Sequence, residues 1–286
     1  MLCHRQMREI RGDILSCWPL TWMSLNCWMM NCRAPPHPLN RWPPPLPPPS
    51  TQLPYQSFPP LSSELSPSAP GRYVFDYWTW PDIPEFREVI FDSPLAGISS
   101  QLMGSRYVNL VMDNWFMREI GATTAAPWHH DEPYFDFTGR LCVVWLPLEA
   151  APKSEGLTFV RGSHRWDQLF VAPEFSANVP FVCSGDAYSP VPDIDAEPNS
   201  YELLSWAVGL GDCLVFDFRT LHSITGRSSP ASSTQRRLSL RFGSETAIFK
   251  PRGRWTEETS TYVINQGQKV DAPIDCPLMP RIWMNS

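Results

Sequence analysis

The chain has 286 residues, enough to bury a sizeable core in one large domain or two small ones. Its formal charge of -6 and pI near 5.5 argue against a nucleic-acid partner, which calls for a basic face, and no run of ~18 or more apolar residues offers a membrane span. Eight cysteines occur without a CxxC pair, which argues against a zinc site.

Residues 1–33 read as an atypical N-terminal extension. Ile14 to Met30 is rich in Trp, Leu and Met and follows Arg8 and Arg11, but Pro19 and Asn26 break it and it has no small-residue cleavage site. A cytoplasmic location is therefore the expectation, with a targeting segment as the alternative. From Ala34 to Pro70 proline dominates, including Pro43-Pro44-Pro45-Leu46-Pro47-Pro48-Pro49. Proline fixes φ and removes an amide donor, so residues 34–70 are expected to be a disordered or polyproline II linker. Such a segment is either a plain spacer or a docking strip for an aromatic groove.

Residues 71–286 read as the folded domain. The periodicity predicts helix over Pro84 to Met103, with Phe86, Val89, Ile90, Leu95, Ile98 and Leu102 inward and Pro94 dividing it in two. Tyr107 to Arg118 is dense in β-branched and aromatic types and reads as a strand. Leu141 to Leu146, Leu157 to Val160, Cys213 to Phe216 and Arg237 to Phe242 are further strands, punctuated by Pro147, by Arg161-Gly162-Ser163 and by the turn Gly209 to Asp212. Cys183 to Ser205 is polar and is expected to be a loop lying over the barrel mouth. Cys142, Cys183, Cys213 and Cys276 stand singly in this part and read as small buried hydrophobes in a reducing compartment. The fold class expected is mainly β with flanking helices, a jelly-roll barrel with helices on one side.

Trp128-His129-His130-Asp131 is answered far downstream by Phe218-Arg219-Thr220-Leu221-His222. On a strand, residues two apart project to one face, so His129 and Asp131 would face one metal ion with His130 turned away. His222 from a distant strand completes a 2-His-1-carboxylate triad, the ligand set of non-haem Fe(II) oxygenases.

Several blocks occur in order. They are Pro127 to Tyr134, Val144-Trp145-Leu146-Pro147-Leu148, Gly156 to Trp166, Gly211 to Phe216, His222, Arg236 to Arg241, and Cys276 to Trp283. Through them residues 73–283 resemble the phytanoyl-CoA dioxygenase-like family of Fe(II)/2-oxoglutarate oxygenases. The resemblance implies a double-stranded β-helix, a cupin-like jelly roll. It also implies iron held by His129, Asp131 and His222, 2-oxoglutarate and O2 as co-substrates, and oxidation of a small molecule. Related halogenases carry Gly or Ala where Asp131 stands, so the carboxylate points to hydroxylation or desaturation.

The resemblance also asks for an arginine after the second histidine to grip the distal carboxylate of 2-oxoglutarate. Aligning on Leu238-Ser239-Leu240 puts Gln235 at that place. Alternation sets Gln235, Arg237, Ser239 and Arg241 on one face, which favours Arg237; a one-residue slip would favour Arg236. Trp145 is expected to wall the co-substrate pocket.

The remaining candidates have bland readings beside them. His130 reads as a pocket-lining or supporting group, His164 as part of a turn, Arg161 and Arg165 as surface charges. Tyr134, Phe135 and Phe137 are pocket or core residues with equal claim. The leading reading is a dioxygenase acting on a small, largely apolar metabolite, placed in specialised metabolism by analogy. One rival is a weak or inactive jelly-roll binding module with a partner-docking proline segment. Another is a cupin isomerase or thiol dioxygenase, whose sites favour three histidines.

Overall fold

The computed structural model describes residues 71–175, 187–224 and 229–284, together with the backbone of Thr21–Trp22, Met30–Ala34, Ser63–Glu64 and Val179–Pro180. Its principal strands are β1 (Met30–Ala34), β2 (Tyr73–Tyr77), β3 (Tyr107–Arg118), β4 (Leu141–Pro147), β5 (Leu157–Val160), β6 (Leu203–Ser205), β7 (Leu214–Asp217), β8 (His222–Ile224), β9 (Gln235–Gly243) and β10 (Arg281–Met284). Among the described residues the α-helices are α1 (Pro84–Asp92), α2 (Leu95–Met103) and α3 (Glu257–Asn265). In the major sheet the order runs β1–β7–β4–β9–β3–β2, with β10 also on β3. The minor sheet is β6–β5–β8, extended by an isolated bridge between His129 and His222. These pairings are antiparallel, as expected for a mainly β jelly roll.

Strand alternation gives the major sheet its two faces. One face carries Val108, Leu110, Val144, Leu146, Leu238 and Leu240, packed against Phe86, Val89, Ile90, Leu95 and Ile98 of the helices. Proline sets the helix limits. Pro84 starts α1 at a position where its missing amide costs nothing, and Ser93, before Pro94, is extended and so ends α1. Gly104, at φ 59°, closes α2 with its N–H on Gln101 and Ser100 carbonyls.

The inward face of β3 depends on a register break. Arg241 of β9 pairs with Met112, yet Phe242 pairs with Leu110, so Val111 is an extra residue. The bulge shifts the alternation, which turns Asn114, Phe116 and Arg118 inward. Trp78 Nε1 donates to the Val111 carbonyl at 3.0 Å, and the Trp78 amide to the Asp113 carbonyl at 3.0 Å. Asp113 in turn accepts from the amides of Thr79 and Trp80 and the Thr79 hydroxyl. Its burial pushes the carboxyl up to about 6.

Two expectations need correction. The stretch Cys183 to Ser205, expected to be a loop, carries strands in its described part, residues 187–205. Leu203–Ser205 is a strand on β5, and Tyr188–Ser189 pairs with Leu169–Phe170. Ile194 packs with Trp128, Val160, Phe170 and Leu221, while Trp128 Nε1 donates to Asp195 Oδ1 at 2.9 Å, so this segment backs the minor sheet. Apolar residues inside a polar stretch, Ile194 above all, explain why it docks. Second, the stretches read as an extension (1–33) and as a disordered or polyproline II linker (34–70) both supply strands to the major sheet. Met30–Ala34 pairs with β7 and Ser63–Glu64 with β2, each by backbone pairing that needs no apolar period. The proline run at 43–49 and Cys183 lie outside the described residues; Cys142, Cys213 and Cys276 are buried. Among the described residues no helix is long and apolar enough to cross a membrane.

Candidate metal centre and cofactor pocket

His129 and His222 face each other across their two backbone bonds, His129 N to His222 O at 3.0 Å and His222 N to His129 O at 2.8 Å. Each ring then turns its Nδ1 to the carbonyl two residues earlier, His129 to Pro127 at 2.7 Å and His222 to Thr220 at 2.9 Å. Those carbonyls require Nδ1–H, which leaves each Nε2 lone pair for a metal. Rings pack around them: Phe175 lies 4.9 Å from His129 and Phe216 4.8 Å from His222, centroid to centroid.

The stretch from His129 to Asp131 is a single bridge followed by a turn, not a continuous strand. Asp131 has helical dihedrals and opens the 3-10 turn Glu132–Tyr134, and its amide bonds the Phe218 carbonyl at 3.1 Å. The buried ion pair of Glu132 with Arg252, 2.7 Å, secures that turn. Asp131 nevertheless reaches the histidines: Oδ1 is 3.6 Å from His129 Nε2 and 3.9 Å from His222 Nε2. One ligand atom from each of the three residues falls within 4.8 Å of the others. Two imine nitrogens and one carboxylate oxygen, all buried, with room left beside them, fit Fe(II).

The electrostatics suit that role. Burial alone would raise the Asp131 carboxyl, but the Arg241 guanidinium, aided by both histidines, holds it well below the usual carboxylate range. Burial, then the neighbouring His129, pushes His222 down to about 3, so the ring is a neutral donor. His130 points away. Its Nε2 accepts from the Phe170 amide at 3.0 Å, behind the site and not in the pocket, and burial followed by His129 pushes it down to about 4.

Beside the triad lies a cavity of about 430 Å³. Its floor is the inner face of the major sheet, where β2, β3, β9 and β4 contribute side chains in register. Tyr77, Asn114, Ser239 and Trp145 form one cross-strand row, and Phe75, Phe116 and Arg237 the next. Arg237 is therefore on the cavity side, with its Cζ 5.3 Å from the Trp145 ring centre; its buried guanidinium is brought down to about 10 by desolvation. Arg236 faces the other way and pairs with Glu149. Gln235, also in the cavity, donates to Glu155 at 2.9 Å. Tyr134 and Phe135 line the cavity, whereas Phe137 is core against Phe249. Glu174, Phe175, Trp255 and Glu258 border it from other segments. His164 sits in the turn Ser163–Arg165; Arg161 pairs with Glu202 at the surface and Arg165 is exposed.

Sequence reasoning placed Arg241 on the correct face without a role, and it did not single out Arg118, Tyr73 or Glu155. Arg118 had a signal, since it ends the strand whose partner row contains Gln235. For Tyr73 and Glu155 the sequence carried none.

Residues 76–238, more than half of the chain, match the family model described as Phytanoyl-CoA dioxygenase (PhyH). No curated protein matches the chain in sequence. Among solved structures it is similar to the non-heme alpha ketoglutarate dependent epimerase SnoN from nogalamycin biosynthesis, at TM-score 0.59 and 19% identity over 79% of this chain and 81% of that one. It is similar also to the non-heme alpha ketoglutarate dependent carbocyclase SnoK from the same biosynthesis, at TM-score 0.55 and 18% identity over 74% and 76%. These likenesses show the shared fold.

Proposed function

The chain belongs to the phytanoyl-CoA dioxygenase (PhyH) family and is an oxygenase-type enzyme; from that premise we propose that it hydroxylates or desaturates a small, largely apolar metabolite. Its cofactor is ferrous iron, with 2-oxoglutarate and O2 as co-substrates. Residues 71–286 carry the catalytic site, with 1–33 as an extension and 34–70 as a connecting segment, both adding strands to its sheet. The observation that carries the reading is the convergence of His129, Asp131 and His222 at the side of a cavity lined by aromatic and charged side chains. Likeness to two nogalamycin-biosynthesis proteins supports a place in specialised metabolism.

When bound, the iron and its co-substrates supply oxidation of an unactivated C–H bond, coupled to conversion of 2-oxoglutarate to succinate and CO2. The protein contributes position and exclusion of water. His129, Asp131 and His222 would hold the metal, each through one ligand atom. Arg237, backed by Trp145, offers a guanidinium to the distal carboxylate of 2-oxoglutarate. Tyr134, Phe135, Phe175 and Trp255 give the substrate an apolar wall.

Fe(II) and 2-oxoglutarate added without air should produce a weak visible charge-transfer band, and air should then release succinate even without substrate. A folded protein that binds iron yet gives neither would be a binding module. With a turned-over substrate, product mass separates the outcomes. A gain of one oxygen means hydroxylation, a loss of two hydrogens means desaturation or ring closure, and no change means epimerisation.

Arg237→Ala is expected to raise the KM for 2-oxoglutarate by about 10- to 100-fold, the worth of a hydrogen bond to a charged group. Arg236→Ala should have a much smaller effect, because that side chain faces away from the cavity, although its partner Glu149 also lies 3.5 Å from Arg237 Nη1. Steady-state succinate assays on both variants check this, and the reverse pattern would move the assignment to Arg236.

A further inference from the structure

Asp131 does not offer both oxygens to the metal point. Oδ1 faces the two histidine Nε2 atoms, while Oδ2 receives Nε of Arg241 at 2.9 Å and Nη2 at 2.8 Å. Nε makes the hydrogen bond and Nη2 adds a close ionic contact, so one rigid planar guanidinium restrains the carboxylate through a single oxygen. Both partners are buried, Arg241 being 5% exposed and Asp131 3%. Arg241 Nη1, also shielded from solvent, has no hydrogen-bond partner among the described residues, and its Cζ stands 4.6 Å from the centre of the Phe135 ring.

We propose that Arg241 is the positioning residue of the iron site, holding Asp131 as a one-oxygen ligand so that the rest of the metal's open face is kept for co-substrate and O2. This inference rests on the iron site proposed above. A carboxylate free to swing could give both oxygens to one ion and occupy a position that 2-oxoglutarate or O2 needs; the fork of Arg241 withdraws Oδ2 from that use. The Val111 bulge of β3 sits directly opposite the step from Arg241 to Phe242. The carbonyl it leaves out of the ladder is bonded by Trp78.

An ordinary structural ion pair would have the same contacts but would leave metal binding unchanged once the protein is folded. The test compares wild type with Arg241→Met and Arg241→Lys by anaerobic Fe(II) titration, by the charge-transfer band with 2-oxoglutarate, and by the unfolding midpoint of the iron-free proteins. Removing the partner of a metal-binding carboxylate is expected to weaken Fe(II) by about 10- to 100-fold and to shift or bleach the band. Lysine keeps the charge but not the fork, so it should rescue affinity only in part. Folded Arg241→Met with wild-type iron affinity and an unaltered band would overturn the assignment, as would failure of both variants to fold. If wild type itself binds no iron, the site reading falls first, and that outcome is visible before any variant is made.

Discussion

His129→Ala is expected to abolish succinate formation, with a loss above about 100-fold, while the protein stays folded. The bound is conservative, since removing a group that merely supports a metal ligand already costs about 10- to 100-fold. The variant leaves the Asp131–Arg241 pair intact and removes one Nε2 from the triad, so its effect should appear in Fe(II) titration and turnover and only slightly in denaturant unfolding. Asp131→Ala should lose the same activity and also destabilise the fold. It strands the buried Arg241 charge, at a cost of about 3–5 kcal/mol for breaking a buried pair from one side. Combining Asp131→Ala with Arg241→Met removes both charges and should return most of that stability without any activity. Retained succinate formation in His129→Ala would end the triad assignment.

How legible was this site? The triad could be read because its chemistry needs particular residue types, and no common structural use of His129, Asp131 and His222 also requires the surrounding blocks. The strands were legible where apolar residues alternate or run continuously. Tyr107–Arg118 and Leu157–Val160 have the expected limits; Leu214–Asp217 is one residue displaced from Cys213 to Phe216, and β9 is longer at both ends than Arg237 to Phe242. The alternation argument also put Arg237 on the cavity face and Arg236 on the other, because it depends only on β9 keeping its register through Leu238 and Ser239.

What stayed hidden depends on geometry that alternation does not carry. Nothing in Asn109-Leu110-Val111-Met112 marks Val111 as a bulge, yet that one residue decides which side chains of β3 enter the cavity. Asp131 joins His129 by entering a 3-10 turn, so the i, i+2 rule gave the right answer from an incomplete picture. The bond from Arg241 to Asp131 spans 110 residues and has no local trace. The stretch before Ser205 looked like a lid because its composition is polar, but the few apolar side chains in it are the ones that dock.

Trp78→Ala tests whether the bulge is a part of the site or only of the fold. Trp78 is 1% exposed, stands edge-on to Tyr77 at 5.7 Å and tilts against Tyr262 of α3 at 5.4 Å. It also occupies φ 53°, a left-handed conformation that costs a bulky residue energy and persists only where surroundings enforce it. Emptying that volume should cost about 3–5 kcal/mol in denaturant unfolding, a large share of the 5–15 kcal/mol typical of a whole domain. Trp78→Phe separates the two roles, because it keeps most of the packing and removes only the N–H that reaches the Val111 carbonyl. Its cost should be smaller, about 1–3 kcal/mol for one buried acceptor left unpaired. If the bulge aims Arg241, Trp78→Phe should also weaken Fe(II) binding, although Trp78 is no ligand. A Trp78→Phe protein with lowered stability and wild-type iron affinity would confine Trp78 to the core.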